Sequence, residues 1–219
     1  MSIPTISDYD LPVSTPVKTR ANWVPERARA ALLVHDMQRY FTRSFNADAS
    51  PLKPLIANIA RLLTFARAAE MPVFFTAQVG NQFRPDRGLQ ADLWGPGMSA
   101  TPEHQDILPN LAPVPGDHVL VKHRYSAFQR SNLERLMRAR GRDQLIIAGV
   151  YAHIGCLATA FEAFQLEIEP FPVIDAQADF TLAEHETAMG MIASTCGVPM
   201  TTEAMLATLG GVGKDQKCA

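Results

Sequence analysis

The stretch GVYAHIGCLATAFEAF (Gly149–Phe164) directly follows an apolar run, QLIIA (Gln144–Ala148). The apolar run predicts a buried strand, and the stretch predicts a tight turn leading into a helix from about Ile154 to Leu166. A strand that enters a helix through such a turn exposes a small residue beside free backbone N–H groups. Hydrolases often place a nucleophile at such a turn, whereas this chain has Gly155 there.

Outward from this stretch, short apolar runs alternate with helical patterns along the chain. This alternation is typical of a parallel sheet covered on both faces. The other predicted strands are Ala30–Val34, Val73–Thr76, His118–Val121, Phe171–Ile174 and Val198–Thr201. We therefore predict an α/β protein with a three-layer, Rossmann-like fold, in which helices flank a six-stranded parallel sheet on both faces.

Length and composition favour one domain over residues 1–219, with a core at about 25–209, an N-terminal arm at 1–24 and a frayed tail at 210–219. The net charge of −2 gives no basic patch for nucleic acid, and no window resembles a signal peptide or a membrane helix. The three cysteines are scattered, which argues against a disulfide framework and a structural zinc site. We expect a cytoplasmic protein.

Four polar side chains lie just beyond the ends of four predicted strands: Asp36, Gln78, Lys122 and Tyr151. Ligands of such sheets bind at the carboxyl ends of the strands. Taken singly, an aspartate there also caps turns and a lysine there is often solvated. Because all four share one edge, we predict that this edge carries the functional site.

Several longer blocks carry a family resemblance: ALLVHDMQRYF (Ala31–Phe41), FFTAQ (Phe74–Gln78), DRGLQADLWGPGM (Asp86–Met98), VLVKHRYSAF (Val119–Phe128), GVYAHIGC (Gly149–Cys156) and VIDAQADF (Val173–Phe180). Together they make the chain, from about Ile3 to Leu206, similar to the isochorismatase branch of the cysteine-hydrolase superfamily. Within that branch it resembles the enzymes of catecholate-siderophore and phenazine pathways. The resemblance implies a six-stranded parallel sheet, in agreement with the strand pattern.

The superfamily's usual triad is Asp, Lys and Cys, and the resemblance places its first two members on Asp36 and Lys122. The superfamily cysteine falls on Gly155 and not on Cys156. Neighbouring residues of a helix point about 100° apart, so the side chain of Cys156 should point away from the pocket. We interpret Cys156 as a packed core thiol. The metal-binding histidine of nicotinamidase-like members has no counterpart after Gln78. We therefore predict neither a metal nor another cofactor.

The reaction implied by the resemblance is hydrolysis of the enol ether of isochorismate to pyruvate and 2,3-dihydro-2,3-dihydroxybenzoate. This reaction needs a proton on carbon and no covalent intermediate, so we predict that Asp36 is the general acid. Lys122 either orients Asp36 or holds a substrate carboxylate. The lysine lowers the pKa of Asp36 while desolvation and substrate carboxylates raise it, and the sequence leaves the balance open.

The substrate carries two carboxylates, so the site should contain cations and hydrogen-bond donors. We predict that Arg87 forms a bidentate clamp, that Gln78 donates a hydrogen bond and that the backbone at Tyr151 and Gly155 favours an anion. Gly155 should also leave room for the substrate ring. Further predicted walls of the site are Phe41, Trp94, Arg124 and Tyr125, for which core or surface roles explain the sequence equally well.

The remaining titratable residues near the strand ends favour structural roles. Strand alternation predicts that His35 faces away from Asp36 as a hydrogen-bonded core residue. His153 lies within the turn and is interpreted as structural. Capping or turn roles are predicted for Asp175, Asp179 and His185.

Other functions remain open at this stage. The same chemistry on 2-amino-2-deoxyisochorismate, giving trans-2,3-dihydro-3-hydroxyanthranilate for phenazine synthesis, is the alternative nearest to isochorismate hydrolysis. A thiol amidase using Cys156 and a non-catalytic scaffold are the alternatives from other classes. For partners, we expect a small dicarboxylate substrate, a homodimer and a separate carrier protein.

Overall fold

A computed structural model describes residues 3–211 and contains one parallel sheet in the order β3-β2-β1-β4-β5. The strands are β1 (Ala30–His35), β2 (Val73–Ala77), β3 (His118–Val121), β4 (Gln144–Val150) and β5 (Glu169–Ala178). Every pairing between neighbouring strands is parallel. The predicted fold class is confirmed, with five strands in the sheet instead of six.

The segment predicted as a sixth strand, Val198–Thr201, contributes only an isolated parallel bridge between Val173 and Met200. Val198 and Met200 donate backbone hydrogen bonds to the carbonyls of Pro170 and Pro172, at 3.1 and 3.0 Å. Those prolines have no N–H group to return, so a full ladder cannot form along this edge of β5. The prediction of a strand at 198–201 was wrong for this reason.

Helices cover the two faces of the sheet. They are α1 (Arg39–Thr42), α2 (Leu52–Ala68), α3 (Arg84–Arg87), α4 (Gln90–Trp94), α5 (Pro102–Gln105), α6 (Leu133–Arg138), α7 (Leu157–Gln165), α8 (Leu182–Thr195) and α9 (Thr202–Gly210). A 3₁₀ turn at Pro109–Leu111 and a π-helical turn at Ala152–Cys156 complete the regular structure of the described residues. Among residues 3–211 the longest helix is α2, with 17 residues.

Alternation along the buried strands builds one apolar core on each face of the sheet. Leu32 of β1 belongs to the core that contains α2 and α9, and Leu33 belongs to the core that contains α7 and α8. Cys156 is fully buried in the second core, as predicted. The rigid sheet between these cores fixes the positions of the strand ends.

Two outer segments close the top of the sheet. Part of the N-terminal arm packs on the body, where Ile6 is buried and donates a backbone hydrogen bond to Ser44 at 2.9 Å. The stretch 81–115, between β2 and β3, contains the short helices α3, α4 and α5. Of the tail predicted at 210–219, residues 212–219 lie outside the described residues, and Gly210 still belongs to α9. None of the described helices has the length and apolar character needed to cross a membrane.

Candidate active site

The site is organised around Asp36, the first residue after β1. Its φ angle of 49° lies in the left-handed region, which turns the chain away from the strand direction. Its N–H donates to the Thr76 hydroxyl at 3.1 Å, and that hydroxyl donates back to Asp36 Oδ1 at 2.7 Å. Asp36 is only 4% exposed. The end of β2 therefore holds the carboxyl in a fixed orientation.

Lys122, which follows β3, is the cationic partner of Asp36. Its Nζ lies 2.9 Å from Asp36 Oδ2 and also donates to the carbonyls of Arg124 and Tyr125, at 2.9 and 3.3 Å. Lys122 is 1% exposed. Because an ammonium group has three N–H donors, these contacts use all of them. The geometry thus favours orientation of Asp36 over capture of a substrate carboxylate, the two roles that the sequence left open.

Opposing effects act on the pKa of the Asp36 carboxyl. Burial alone would raise it, because the charged form loses hydration. The Lys122 ammonium, the neighbouring His35 and hydrogen bonds from Lys122 and Thr76 act in the other direction, and their sum holds this pKa below its ordinary value. Asp36 is therefore a carboxylate in the unliganded protein at neutral pH.

Gln78 extends the same edge from the end of β2. Its Nε2 donates weakly to Asp36 Oδ2 at 3.4 Å, and its N–H donates to the Gln38 side chain at 2.7 Å. Gln38 in turn donates to the carbonyls of Gln78 and Gln105, at 2.8 and 2.7 Å. The sequence analysis missed both Gln38 and Thr76, although each is a polar residue within two positions of Asp36 or Gln78.

His35 does not face away from Asp36, and that prediction was wrong. Its Nδ1 lies 2.8 Å from the Val150 carbonyl and 3.9 Å from Asp36 Oδ2, and its Nε2 lies 3.2 Å from the Tyr125 carbonyl. Strand alternation ends at His35, because the positive φ of Asp36 turns the Asp36 side chain back toward His35. His35 is nevertheless the buried, hydrogen-bonded residue that was expected, and burial lowers its pKa.

Gly155 lies against the imidazole of His35. An ideal Cβ placed on Gly155 would be 2.8 Å from Nε2 and 3.0 Å from Nδ1 of that ring, and closer still to Cε1. Such distances are shorter than van der Waals contact allows. The space beside Gly155 is therefore occupied by a histidine and is not left for a substrate ring, contrary to the prediction.

Arg87, in α3, is a cation that faces the same cavity. It is only 6% exposed, and its Nε donates to the Gly95 carbonyl at 2.6 Å. Among residues 3–211, no carboxylate forms a salt bridge with it, and its two terminal nitrogens have no hydrogen-bond acceptor. Burial lowers its pKa, against the opposing influence of Tyr40 and Tyr125. A planar carboxylate would supply hydrogen-bond acceptors for both terminal nitrogens of this guanidinium.

Aromatic side chains enclose the rest of the cavity. Trp94 donates to the Tyr125 hydroxyl at 2.8 Å and meets Phe180 edge-on, with 6.2 Å between the ring centroids. Tyr151 donates to the Phe41 carbonyl at 2.5 Å and packs on Phe180 at 4.4 Å. Burial raises the pKa of the Tyr151 hydroxyl. These contacts hold the aromatic walls together.

The resulting cavity lies at the carboxyl ends of the strands and is lined by these polar and aromatic side chains. It brings together nine of the ten predicted site residues: Asp36, Phe41, Gln78, Arg87, Trp94, Lys122, Tyr125, Tyr151 and Gly155. Lining residues that the sequence analysis missed include Tyr40, Gln90, Met98, Ile154 and Phe180.

The family model described as Isochorismatase domain matches residues 30–204. The chain belongs to the isochorismatase family. Over 94% of its length it is 47% identical to the isochorismatase of Bacillus subtilis and 45% identical to enterobactin synthase component B of Escherichia coli, spanning 66% and 73% of those proteins. It is 45% identical to phenazine biosynthesis protein PhzD1 of Pseudomonas aeruginosa, with coverage of 93% of this chain and 98% of that protein.

A solved structure with the same fold is a cysteine hydrolase from Pseudomonas syringae pv. phaseolicola. It superposes with a TM-score of 0.75 at 22% identity, over 89% of this chain and 98% of that one. At this identity the likeness concerns the fold alone. It shows that the sheet and helices of this isochorismatase-family chain also occur in a protein named for thiol chemistry.

Cys156 cannot act as such a thiol in this isochorismatase-family chain. Its relative exposure is 0%, so it is accessible from neither the cavity nor the solvent, and it packs in the core beneath α7 and α8. Burial raises the pKa of this thiol well above its ordinary value, and the nearby Asp179 and Asp36 act in the same direction. A thiolate, which is the nucleophilic form, is therefore disfavoured.

Arg124 is the one predicted site residue that the structure keeps out of the cavity. Its Nη1 donates to the carbonyls of Asp86 and His123, at 2.8 and 2.6 Å. These bonds direct the guanidinium along the outer side of α3, into a neighbouring surface groove. The prediction that Arg124 walls the site was wrong because two main-chain acceptors hold its side chain elsewhere.

Two aspartates in and just after β5 make structural contacts in this member of the isochorismatase family. Asp179, which is fully buried, accepts from the N–H and Nδ1 of His153, at 2.6 and 2.5 Å, and from the N–H of Phe180 at 2.9 Å. Asp175 accepts from the N–H and hydroxyl of Thr202 at the start of α9. The structural roles predicted for these residues agree with these contacts.

Proposed function

We propose that this chain is an isochorismatase, which hydrolyses the vinyl ether of isochorismate to 2,3-dihydro-2,3-dihydroxybenzoate and pyruvate by general-acid catalysis. The observation that carries the proposal is a buried Asp36–Lys122 pair, 2.9 Å apart, in a cavity that also holds the unpaired Arg87. The identity of 47% to the Bacillus subtilis isochorismatase supports the substrate. The absence of a side chain at Gly155 suits a reaction without a covalent intermediate.

The chemistry requires a proton on the terminal methylene carbon of the enol ether. Protonated Asp36 delivers that proton, and the two electrons of the carbon–carbon double bond form the new C–H bond. The ether carbon becomes an oxocarbenium ion, which water captures with loss of a proton to Asp36. The resulting hemiketal collapses to pyruvate and the ring alcohol. Asp36 ends the cycle protonated, and no enzyme–substrate bond forms.

Substrate binding must convert Asp36 from a carboxylate to an acid. In the unliganded protein Lys122 holds its pKa low. A bound dicarboxylate adds negative charge near Asp36 and excludes water, and both effects raise this pKa. We propose that a proton enters with the substrate, and that Lys122 then keeps the acid oriented toward the methylene carbon.

Binding of the substrate follows from the rest of the cavity. Arg87 offers its two free terminal nitrogens to one carboxylate as a bidentate clamp. Phe41, Trp94 and Tyr151 enclose the ring and exclude water from the oxocarbenium ion until the reaction needs it. The main chain near Tyr151 and Gly155, at the start of the helical segment, favours the other carboxylate.

The second candidate substrate is 2-amino-2-deoxyisochorismate, which would give trans-2,3-dihydro-3-hydroxyanthranilate. It is favoured by the 45% identity to phenazine biosynthesis protein PhzD1, which equals the identity to enterobactin synthase component B from Escherichia coli. The vinyl ether and both carboxylates are the same in the two substrates, so Asp36, Lys122 and Arg87 would serve either one.

We further propose a cytoplasmic location, a homodimer and a separate carrier protein as partner. Cys156 and Cys196 are both free and buried, which fits a reducing compartment. Exposed apolar residues on α4 and the preceding turn, Leu89 and Leu93, offer contact area for a second copy. Light scattering of the purified protein would measure the oligomeric state.

The test of the function is pyruvate release, followed with lactate dehydrogenase, from isochorismate and from its 2-amino analogue. We expect turnover of at least one of them, and the ratio of kcat/KM identifies the physiological one. Cys156→Ala should retain turnover within about twofold, because that thiol faces the core. Failure to release pyruvate from either substrate, or trapping of an acyl-enzyme on sulfur, would overturn the proposal.

A further inference from the structure

The glycine at position 155 is not required by its own backbone. In the described part of the chain six glycines have positive φ, and Gly155 is not among them. Its backbone therefore lies in a region that any L-residue can adopt. A different cause must explain why a side chain is missing at this position of the cavity wall.

That cause is the imidazole of His35. A Cβ on Gly155 would lie 2.8 Å from Nε2 and 3.0 Å from Nδ1, inside the ring's van der Waals surface. The ring is held between the carbonyls of Val150 and Tyr125, at 2.8 and 3.2 Å, and it is 1% exposed. It cannot swing aside without losing these contacts in a densely packed region.

Gly149 shows that this relation is specific to position 155. A Cβ on Gly149 would also meet His35, at 2.7 Å from its backbone N. However, Gly149 has a φ of 115°, so its backbone alone already demands glycine. Only at Gly155 is the side chain of His35 the reason that no side chain fits.

Position 155 is also where a nucleophile would be most useful. It lines the same cavity as Asp36 and Lys122, at the start of the helical segment that follows β4. A thiol in that place would have backbone N–H groups beside it and would share the cavity with a buried lysine, and both favour a thiolate. In this chain, the His35 ring occupies the volume into which such a thiol would project.

We propose that His35 is a specificity-determining residue, whose imidazole excludes any side-chain nucleophile from position 155 and so restricts the site to proton-transfer hydrolysis. The steric part stands on the structure, and the restriction to proton transfer rests on the proposed function. His35 is in addition a positioning residue, because its ring joins the end of β4 to the loop that carries Tyr125. Positions 35 and 155 consequently form one unit that can only change together.

The first test compares two single alanine substitutions at glycines with ordinary backbone angles. Gly155→Ala should lower Tm by about 5–10 °C, the effect of overpacking a buried site in a protein of this size. Gly210→Ala is the matched control, because the nearest atom to its Cβ, in Phe65, lies at 3.7 Å, and it should shift Tm by less than about 2 °C. Equal, small shifts for both variants would overturn the proposal.

The second test is a double-substitution cycle. In a His35→Ala background, Gly155→Ala should change Tm by less than about 2 °C, because the ring that it meets has been removed. His35→Asn, which keeps a donor near the Val150 carbonyl, replaces His35→Ala if the latter does not fold. The same Tm loss with and without the imidazole would contradict the proposed coupling.

The third test introduces the nucleophile itself, in a Cys156→Ala background that leaves position 155 as the one new thiol in the turn. Alkylation by iodoacetamide, read at residue 155 by peptide mass mapping, should be at least about tenfold faster in His35→Ala/Gly155→Cys than in Gly155→Cys. Equal rates would argue against the imidazole as the barrier. None of these readouts uses isochorismate, so failure of the proposed reaction would appear only in the pyruvate assay.

Discussion

Two fully or nearly fully buried carboxylates, each beside a basic side chain, follow strands of the same sheet, and only one of them faces a cavity. Asp36 follows β1 and contacts Lys122, and Asp179 follows β5 and contacts His153. Asp179 accepts three N–H donors, two of them from the main chain, and it is fully buried. Asp36 keeps its carboxyl at the wall of the cavity that Arg87 also lines.

The difference shows that a buried carboxylate–cation pair is not by itself a catalytic site. Asp179 accepts hydrogen bonds from the main chain, so these bonds contribute to the stability of the fold. The side chains of Thr76 in β2 and of Lys122 just after β3 hold Asp36, and they lower its pKa while leaving access to a ligand. The predictions below separate a pair that acts on substrate from a pair that acts on the fold.

The largest expected effect comes from the two carboxylates themselves. Asp36→Asn removes the proton donor and should lower kcat for pyruvate release by about 10³-fold, within the range for loss of a general acid. Asp179→Asn should keep kcat per folded molecule within about threefold but should destabilise the protein by about 3 kcal/mol, since a buried pair loses one charge. Steady-state kinetics and urea unfolding of both variants measure this. Retained turnover in Asp36→Asn would end the acid role.

A second effect concerns the cation at the cavity pair. Lys122→Met removes the charge that lowers the pKa of Asp36, so this pKa should rise, and kcat should fall about 10–100-fold because the acid is no longer oriented. In the unchanged protein, binding of a non-hydrolysable dicarboxylate analogue should take up about one proton at pH 7, and in Lys122→Met less, because the raised pKa leaves a larger share of Asp36 protonated before binding.

Calorimetry in two buffers of different ionisation enthalpy measures that proton uptake. Lys53→Met, on the exposed face of α2, is the matched control and should leave both uptake and turnover unchanged. An unchanged proton uptake in Lys122→Met would mean that Asp36 does not receive the proton.

The same comparison shows what sequence reasoning could reach. Asp36 and Lys122 were predictable because each directly follows a buried strand, and parallel strands bring such residues to one edge. Strand alternation could not predict that His35 faces Asp36, since this orientation depends on the positive φ of a single non-glycine residue, Asp36. The family resemblance supplied the reaction, and the position of Gly155 within it.

Where the prediction failed, local main-chain acceptors or missing donors decided the outcome. Arg87 ends the short helix α3 and faces the cavity, whereas hydrogen bonds to the carbonyls of Asp86 and His123 hold the side chain of Arg124 outside it. The segment 198–201 has a strand-like sequence, but the prolines of β5 lack the N–H groups needed for a continuous ladder of hydrogen bonds with it. Thr76 and Gln38 escaped notice because hydrogen bonds between strand ends depend on register, which the sequence does not state.

A third prediction uses the pH dependence of stability to test the Asp179–His153 pair, called the closed pair below. Burial would lower the pKa of His153, but its hydrogen bond and charge interaction with Asp179 raise it above the ordinary value of 6.5. This pair therefore adds stability that is fully present below about pH 6.5 and is lost as pH rises through the raised pKa. His153→Asn should reduce the free energy of unfolding by about 1–2 kcal/mol at pH 6 and by less at pH 9.

Urea unfolding of the unchanged protein and of His153→Asn across this range measures the difference between them. That difference cancels groups common to both, including His185, whose pKa burial lowers to about 4. A difference that stays constant with pH would show that His153 is neutral throughout, and would remove the charge from the closed pair.

The smallest expected effect comes from a matched pair of Tyr→Phe substitutions, one in each region. The Tyr9 hydroxyl accepts from the N–H of Asp179 at 2.7 Å, so Tyr9→Phe leaves that buried donor unpaired. It should cost about 1–2 kcal/mol, or about 2–6 °C in Tm, with turnover within about twofold. Tyr151→Phe removes the hydrogen bond to the Phe41 carbonyl in the cavity wall and should also raise KM.

The pair distinguishes the regions because the chemical change is identical and only its location differs. A hydroxyl that ties the N-terminal arm to Asp179 can affect the cavity only through global stability, and assays well below Tm remove that influence. Slower turnover in Tyr9→Phe under those conditions, with normal kinetics in Tyr151→Phe, would mean that the network around Asp179 takes part in catalysis. In that case burial among main-chain donors would not suffice to assign a carboxylate to the fold.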